Sequence, residues 1–219
     1  MNRYGRLDNL EQKTKYNVLF VGCHPDDVEL GCGGTILKHT ERGDNVSVIV
    51  MTNGDKGGHN PERKEIINSM KVLGVNDIRY GNFKDGYLKD DQEVVQCIES
   101  IINELHINRV YTHDANDRHQ DHRNCSKAVS AAGRKISEVL LYEGPSTNQP
   151  FEPHYFIELS DDHMQKKLKS LKCYKSQIEK GIVNLHWVKS LAGAHGGYHR
   201  IKYAEAFALN HSLHGGKDV

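Results

Sequence analysis

The sequence predicts a Rossmann-like, doubly wound α/β fold: a mainly parallel sheet, helices on both faces and a C-terminal α/β extension. Apolar runs alternate with amphipathic segments along most of the chain, which is the order of elements in a parallel sheet. Residues 18–22 form a continuous apolar run, as strands covered on both faces do. The 219 residues are enough for one sizeable core, so we expect a single domain over residues 1–219.

Strands are predicted where apolar and β-branched residues cluster between polar turns. Six segments meet this description: residues 18–22, 45–51, 77–80, 108–112, 139–142 and 154–159. Residues 1–15 and the tail from His211 onward lack such clusters, and we expect both to be loosely held.

Helices are predicted from apolar residues at helical period and from signals at their ends. A glycine-rich turn at residues 31–34 is expected to lead into a first helix at residues 35–39. Pro61 suits the first position of the second helix, and Gly74 suits its end. The remaining helices are expected at residues 91–105, 122–135 and 161–179.

The composition argues against several classes of protein. The 29 basic and 29 acidic residues give a formal net charge of zero, so no nucleic-acid or anionic membrane partner is expected. The first 16 residues contain no apolar core, so we expect no signal peptide or membrane span there. Five cysteines without a Cys-x-x-Cys pair favour reduced thiols and a cytoplasmic protein. A small-molecule partner is therefore expected, and a homo-oligomer is compatible with the sequence.

Polar side chains follow the first predicted strand, at the edge where open α/β sheets bind their ligands. They are His24, Asp26 and Asp27. Pro25 stiffens this turn, so His24 and one aspartate can face a common metal ion while the other aspartate acts as a base. Capping of the following helix is the alternative role for the aspartates.

A second polar segment follows the strand at residues 108–112 and contains His119, Asp121 and His122. If the first and fourth strands are neighbours, both segments line one crevice. Two histidines and one aspartate would leave the fourth position of a tetrahedral zinc ion open, as in catalytic sites, and Fe²⁺ or Mn²⁺ suit the same donors. The fourteen histidines of the chain also favour a metal site.

These motifs resemble those of the LmbE-like (PIG-L) family of zinc-dependent N-acetylglucosamine-conjugate deacetylases. The two signature segments are residues 24–27 (His-Pro-Asp-Asp) and 119–122 (His-Gln-Asp-His). Similarity continues through residues 52–57, 73–75, 176–177 and 203–207, so it covers nearly the whole chain. The chain departs from the family where Glu62 replaces a common arginine and where His195 precedes Gly196 in place of an arginine.

The resemblance implies a role for each residue of the two motifs. His24, Asp27 and His122 would bind zinc, and Asp26 would be the general base. His119 would stabilise the oxyanion that develops on the substrate, and Asp121 would orient an imidazole from behind. The implied reaction is removal of the acetyl group from an N-acetylglucosamine-type sugar in a small conjugate or an oligosaccharide.

Three further residues are candidate substrate contacts: Arg63, Asp117 and Tyr142. For Asp117, orientation of its own loop is the alternative role, and for Arg63 a solvated helix face is the alternative. The C-terminal histidines lie in glycine-rich or terminal sequence, so they are not expected to form a second metal site; they are His195, His199, His211 and His214.

Two other functions remain open from the sequence. In a nucleotide-binding protein, residues 31–34 would cradle a phosphate at a helix N-terminus. That segment lacks the full dinucleotide fingerprint, and this function leaves His119 and His122 unexplained. A binding protein that had lost catalysis would lack a metal ligand or the base, whereas all four residues are present.

Overall fold

The computed structural model describes residues 15–54 and 63–212. The strands are β1 (Asn17–Gly22), β2 (Asn45–Thr52), β3 (Asp77–Phe83), β4 (Arg109–His113), β5 (Glu138–Tyr142), β6 (Tyr155–Leu159) and β7 (Tyr203–Ser212). The helices are α1 (Asp27–Arg42), α2 (Arg63–Leu73), α3 (Gln92–Glu104), α4 (Gln120–Ala132), α5 (Asp161–Leu171), α6 (Lys175–Glu179) and α7 (Leu185–Tyr198). All six predicted strands are confirmed, with ends that differ by a few residues.

The seven strands form one sheet in the order β3-β2-β1-β4-β5-β7-β6. Strands β3, β2, β1, β4 and β5 are parallel, whereas β7 is antiparallel to both β5 and β6. The predicted α/β class with a mainly parallel sheet and a C-terminal extension is therefore confirmed. Strand β1 pairs with β2 on one side and β4 on the other, so the order reverses there, and the carboxyl end of β1 is where this fold binds ligands.

Alternate residues of β1 face opposite sides of the sheet. Leu19 and Val21 pack in a buried cluster with apolar residues of α3 and α4. Val18 and Phe20 pack in a second cluster with residues of α1 and α2. A third cluster joins α1, β6, α5 and α7 at the C-terminal extension. Helices therefore cover both faces, as the continuous apolar run in β1 predicts.

Helix α1 begins at Asp27, so the predicted helix start at residue 35 is wrong. The glycines of residues 31–34 lie inside the helix and let other elements approach its backbone. A Cβ atom on Gly31 would lie 2.3 Å from the ring of Tyr142, and one on Gly34 would lie 2.4 Å from Leu159. These glycines serve close packing of the helix that carries Asp27, rather than a turn that leads into it.

A buried ion pair holds the middle of α1 in place. Lys167 donates a 2.6 Å hydrogen bond to Glu205 and a 2.8 Å bond to the carbonyl of Leu30. Glu205 also accepts hydrogen bonds from the backbone amides of Gly34 and Thr35 at 2.8 and 2.7 Å. Helix α5 and strand β7 are therefore tied through polar groups to the helix that begins at the predicted site.

The C-terminal third departs from the prediction in three places. The single helix expected at residues 161–179 is wrong: α5 ends at Leu171, and the chain turns to bury Tyr174, whose hydroxyl donates a 2.6 Å hydrogen bond to Glu29. Helix α7 and strand β7 were not predicted. His211 pairs in β7 opposite Val139, so the expected loose tail does not begin there.

Some predictions fall outside the described residues: the N-terminal arm before residue 15, Pro61 at the start of the second helix, and His214. Gly74 ends α2 as predicted, with a φ of 78°. Among the described residues, no helix is both long and apolar enough to cross a membrane.

Candidate active site

A cavity of about 660 Å³ opens at the carboxyl ends of the parallel strands. Its lining includes five of the six candidate site residues of the two predicted motifs: His24, Asp26, Asp27, His119 and His122. The first three follow β1 and the last two begin α4, so the pairing of β1 with β4 brings the motifs together, as the sequence predicted. Helices α1 and α4 both start here, and their N-terminal amides favour negative charge in this cavity.

Three side-chain atoms converge on one point at the base of the cavity. Nδ1 of His24 lies 3.2 Å from Nε2 of His122 and 3.3 Å from Oδ2 of Asp27. Nε2 of His122 lies 3.5 Å from the same Asp27 oxygen. A tetrahedral zinc ion with ligands at about 2.0–2.1 Å separates its ligand atoms by about 3.3–3.4 Å. The three atoms therefore already have the spacing of one face of such a tetrahedron.

The outer nitrogen of His24 faces two carboxylates. Its Nε2 lies 3.1 Å from Oδ1 of Asp85 and 3.4 Å from Oδ2 of Asp121. Burial alone would lower the pKa of His24, but its hydrogen bonds to Asp121, Asp27 and Asp85 outweigh burial and raise the pKa to about 12. In the neutral ring, Nε2–H would donate to these carboxylates, which leaves the lone pair of Nδ1 facing inward.

The outer nitrogen of His122 has a similar arrangement. Its Nδ1 lies 3.3 Å from Oδ2 of Asp117 and 3.2 Å from the Ser146 hydroxyl. Burial alone would lower the pKa of His122, yet Asp27 and Asp117 raise it to about 9. Burial also opposes the charge on Asp117, but hydrogen bonds from His122 and Ser146 hold its pKa at about 2. An Nδ1–H that donates to Asp117 turns the lone pair of Nε2 toward His24 and Asp27.

Asp26 and Asp27 are adjacent but have different environments. Burial, followed by the charges of Asp27 and Glu29, raises the pKa of Asp26 well above its ordinary value. Burial also disfavours the charge on Asp27, but the imidazoles of His122 and His113 hold its pKa well below the ordinary value. Asp26 also has a φ of 91°, which is uncommon for a residue with a side chain. The two carboxylates are therefore suited to different tasks: Asp27 to carry charge and Asp26 to exchange a proton.

His119 caps the N-terminus of α4. Its Nδ1 accepts a 3.2 Å hydrogen bond from the backbone amide of Asp121, so the hydrogen of the neutral ring is on Nε2. Burial and the neighbouring rings of His24 and His122 lower the pKa of His119, which favours the neutral ring. Its own amide donates a 2.7 Å hydrogen bond to Asp117, which fixes the cap from outside the cavity.

The donor set fits a divalent metal ion. Catalytic zinc sites use two imidazoles and one carboxylate as ligands. The outer N–H group of each imidazole in such sites donates a hydrogen bond to a further acceptor, as a carboxylate provides here. Ligand atoms also cluster in a buried set comprising Cys23, Asp27, His113 and His122. That set fits less well, because Nε2 of His113 accepts the Cys23 amide hydrogen and neither Cys23 nor His113 lines the cavity.

Comparison with known proteins decides the family. Residues 19–133 match the family model described as "PIG-L: GlcNAc-PI de-N-acetylase". An uncharacterized deacetylase of Escherichia coli K12, YaiS, is 37% identical over 73% of this chain and 90% of its own length. The chain belongs to the PIG-L family. The predicted family is thus confirmed.

Two further similarities agree with PIG-L membership. The diacetylchitobiose deacetylase of Thermococcus kodakarensis is 29% identical over 86% of this chain and 80% of its own length. The crystal structure of the conserved protein TT1542 of Thermus thermophilus superposes with a TM-score of 0.81. It is 24% identical and covers 93% of this chain and 99% of that chain, so it supports the fold alone.

Within this PIG-L site, two of the predicted substrate contacts do not line the cavity. Tyr142 is fully buried; its hydroxyl donates a 3.0 Å hydrogen bond to the carbonyl of Val21, and its ring packs on Gly31. Asp117 is also buried and contacts the outer edge of His122 rather than the cavity. Asp121 is fully buried as well, beside His24, so it faces an imidazole as predicted.

Arg63 lies apart from the cavity formed by the described residues. It is exposed at the start of α2, donates a 3.1 Å hydrogen bond to Asn82 and stacks on the ring of Tyr80 at 4.6 Å. The glycines of residues 31–34 cannot form a phosphate cradle, because they pack against Tyr142, Leu159 and Lys167 inside the protein. The nucleotide-binding alternative therefore has no support in this PIG-L structure.

Sequence reasoning missed Asp85, which contacts His24, and Ser146, which contacts His122. His113, which directly follows the apolar part of a predicted strand, contacts both ligand segments. Asp85 and His113 stand at the carboxyl ends of β3 and β4, where a polar residue is a recognisable signal. Ser146 lies in a turn-rich connection, which an isolated bridge between Asp117 and Thr147 and hydrogen bonds from Arg118 to the carbonyls of Pro145 and Ser146 hold beside the site.

Proposed function

We propose that the chain is a zinc-dependent deacetylase that removes the acetyl group from an N-acetylated amino sugar in a small conjugate or an oligosaccharide. The family and the deacetylase relatives confirm the predicted reaction class. The observation that carries the proposal is the triangle of His24 Nδ1, Asp27 Oδ2 and His122 Nε2, with edges of 3.2–3.5 Å, beside Asp26 in one cavity. Fe²⁺ or Mn²⁺ would suit the same donors.

Both imidazole ligands would be held from behind by this chain. The carboxylates of Asp85 and Asp121 fix the ring of His24, and Asp117 fixes the ring of His122. A bound metal ion would lower the pKa of a water molecule and polarise the acetamide carbonyl. The protein's own contribution is to hold two imidazole nitrogens and one carboxylate oxygen around one point, and a binding ion would displace the protons that the raised pKa values leave on the two rings.

The remaining steps fall to Asp26 and His119. Asp26 would take a proton from the attacking water, since its raised pKa brings it nearer to the operating pH than an ordinary carboxylate. His119 would donate a hydrogen bond from Nε2 to the oxyanion formed when water adds to the acetamide carbon. The carbon–nitrogen bond then breaks, and the proton held by Asp26 goes to the departing amine. The products are acetate and the free amino sugar.

The cavity volume and the cysteines support two further parts of the proposal. About 660 Å³ accommodates a sugar together with a second group of similar size, so a conjugate or short oligosaccharide suits the site. All five cysteines are free, which supports a protein that works in the reducing cytoplasm. Four of the cysteines lie within or beside the clusters on the two faces of the one sheet, which supports a single domain.

The test is release of free amine from a panel of N-acetylglucosamine glycosides and oligosaccharides. We would assay the protein as purified, after chelation, and after Zn²⁺, Fe²⁺ or Mn²⁺ is restored. Release that disappears with the chelator and returns with one ion would support the reaction and identify the metal. Absence of amine release from every panel member by zinc-loaded protein would contradict the proposed substrate class.

A further inference from the structure

His113 ends β4 and is almost completely buried, and it does not line the cavity. Its side chain nevertheless contacts the segments that carry all three proposed metal ligands. The Cys23 amide, next to His24, donates a 3.1 Å hydrogen bond to Nε2 of His113. The same nitrogen lies 3.2 Å from Oδ2 of Asp27.

The ring of His113 also fixes the third ligand. It stacks on the imidazole of His122 with ring centroids 3.8 Å apart and planes 16° apart. His119 stacks on the His122 ring as well, at 4.6 Å and 26°. Contacts with two imidazoles, together with Asp117 at its outer edge, leave His122 little freedom to tilt. A metal site needs this restraint, because ligands must stay within about 10–20° of the productive geometry.

The ring of Tyr142 in turn packs against His113, with ring centroids 4.8 Å apart. The Tyr142 hydroxyl donates a hydrogen bond to the carbonyl of Val21 in β1. The ring of Tyr142 packs against Gly31 of α1, where a Cβ atom would lie 2.3 Å away. The chain Gly31, Tyr142 and His113 thus links helix α1, strand β5 and strand β4 behind the metal-binding side chains.

We propose that His113 is a positioning residue for the metal centre, which sets the placement of the segments carrying His24, Asp27 and His122 relative to one another. This inference rests on the metal centre of the proposed function. His113 belongs to neither signature motif, and its role is defined by its contacts with other residues rather than by contact with substrate. Its removal should therefore weaken metal binding even though no ligand is lost.

The experiment uses Zn²⁺ and Co²⁺ as probes on the full chain. His113→Phe keeps a ring against His122 and loses the nitrogen that contacts Cys23 and Asp27. His113→Gln keeps a polar group near that nitrogen and loses the ring. The matched control is His39→Phe: His39 is another buried histidine, 3.1 Å from a buried tyrosine hydroxyl, that of Tyr111, and it contacts none of the metal-binding residues.

Competition titration should show Zn²⁺ binding weakened roughly 10- to 100-fold in each His113 variant, and unchanged in His39→Phe. The visible absorption of the Co²⁺-loaded His113 variants should also shift, since the ligand geometry changes. His113→Gln carries the same test if His113→Phe does not fold. Wild-type Zn²⁺ affinity and an unaltered Co²⁺ spectrum in the folded His113 variants would overturn the inference alone. A wild-type protein that binds neither ion would overturn the proposed function and this inference with it.

Discussion

Oδ2 of Asp117 lies 3.3 Å from Nδ1 of His122, on the opposite side of the ring from the nitrogen that faces His24. One carboxylate thereby selects which nitrogen of His122 is available to a metal ion. Asp117 also accepts hydrogen bonds from the His119 amide and the Thr147 hydroxyl, so its position is fixed on three sides.

The first prediction concerns this carboxylate. In Asp117→Asn the amide can donate to Nδ1, which favours the tautomer of His122 whose hydrogen faces the metal position. We expect Zn²⁺ affinity to fall by about 10- to 100-fold, as for other residues that orient metal ligands. Asp114→Asn is the control, because Asp114 lies in the same loop and its side chain accepts a hydrogen bond from the Asn116 amide rather than from a ligand. Equal loss of affinity in both variants would contradict the role of Asp117.

The second prediction separates catalysis from metal binding. Asp26→Asn keeps the shape of the side chain but cannot take a proton, so turnover should fall by about 10²- to 10⁴-fold. Because Asp26 is absent from the triangle of ligand atoms, zinc content should stay at the wild-type level. Steady-state assays of zinc-loaded protein, with metal content measured on the same sample, decide this. Loss of zinc would show that Asp26 acts as a ligand.

Asp26 also offers a test of backbone strain. A φ of 91° costs about 1–3 kcal/mol for a residue with a side chain, whereas glycine adopts it freely. Asp26→Gly should therefore be inactive and more stable to denaturant than wild type. An inactive variant that is also less stable would indicate that the buried carboxylate contributes more to folding than the strain removes.

The fourth prediction compares a buried ion pair with an exposed one. Lys167 and Glu205 are both almost fully buried, so Lys167→Met leaves the Glu205 charge without its partner and should cost about 3–5 kcal/mol. Lys202 pairs with Asp161 at the exposed surface, and Lys202→Met should change the free energy of unfolding by about 1 kcal/mol or less. Urea denaturation of the two variants gives the comparison. Similar small losses in the free energy of unfolding of both variants would show that burial does not make the Lys167–Glu205 pair more important for stability than the exposed pair.

The parallel part of the fold could be predicted because its signals are local. Strand β1 contains a continuous apolar run, and polar residues follow β1 and β4 where the site lies. His24 and His119 can therefore be identified from their positions after two strands. Helix α7 gave a weaker signal, because its glycines and histidines interrupt the spacing of apolar residues that indicates a helix. Strand β7 inserts between β5 and β6, a pairing that no local pattern specifies.

The residues that orient the site were harder to predict than the residues that form it. Tyr142 was expected in the cavity because it ends an apolar strand, but the alternation of side chains along β5 places its ring inward against Gly31. The glycines of residues 31–34 were expected to form a turn. They are needed instead because Tyr142 and Leu159, which are distant in sequence, pack against the helix backbone there. Contacts of this kind depend on the register between elements, which a single sequence does not reveal.

The last prediction tests why those glycines are in α1. Gly31→Ala would place a Cβ atom 2.3 Å from the ring of Tyr142, and the clash should destabilise the protein by about 1–3 kcal/mol. Because Tyr142 contacts His113, the same variant should also weaken Zn²⁺ binding. Gly193→Ala in α7 is the matched control: nothing lies within 4 Å of its Cβ position, so the better helix former should stabilise the protein by about 0.5–1 kcal/mol. Denaturation and zinc titration of both variants settle the point. A Gly31→Ala protein as stable as Gly193→Ala, with unchanged zinc affinity, would mean that α1 can shift away from β5 without disturbing the metal centre.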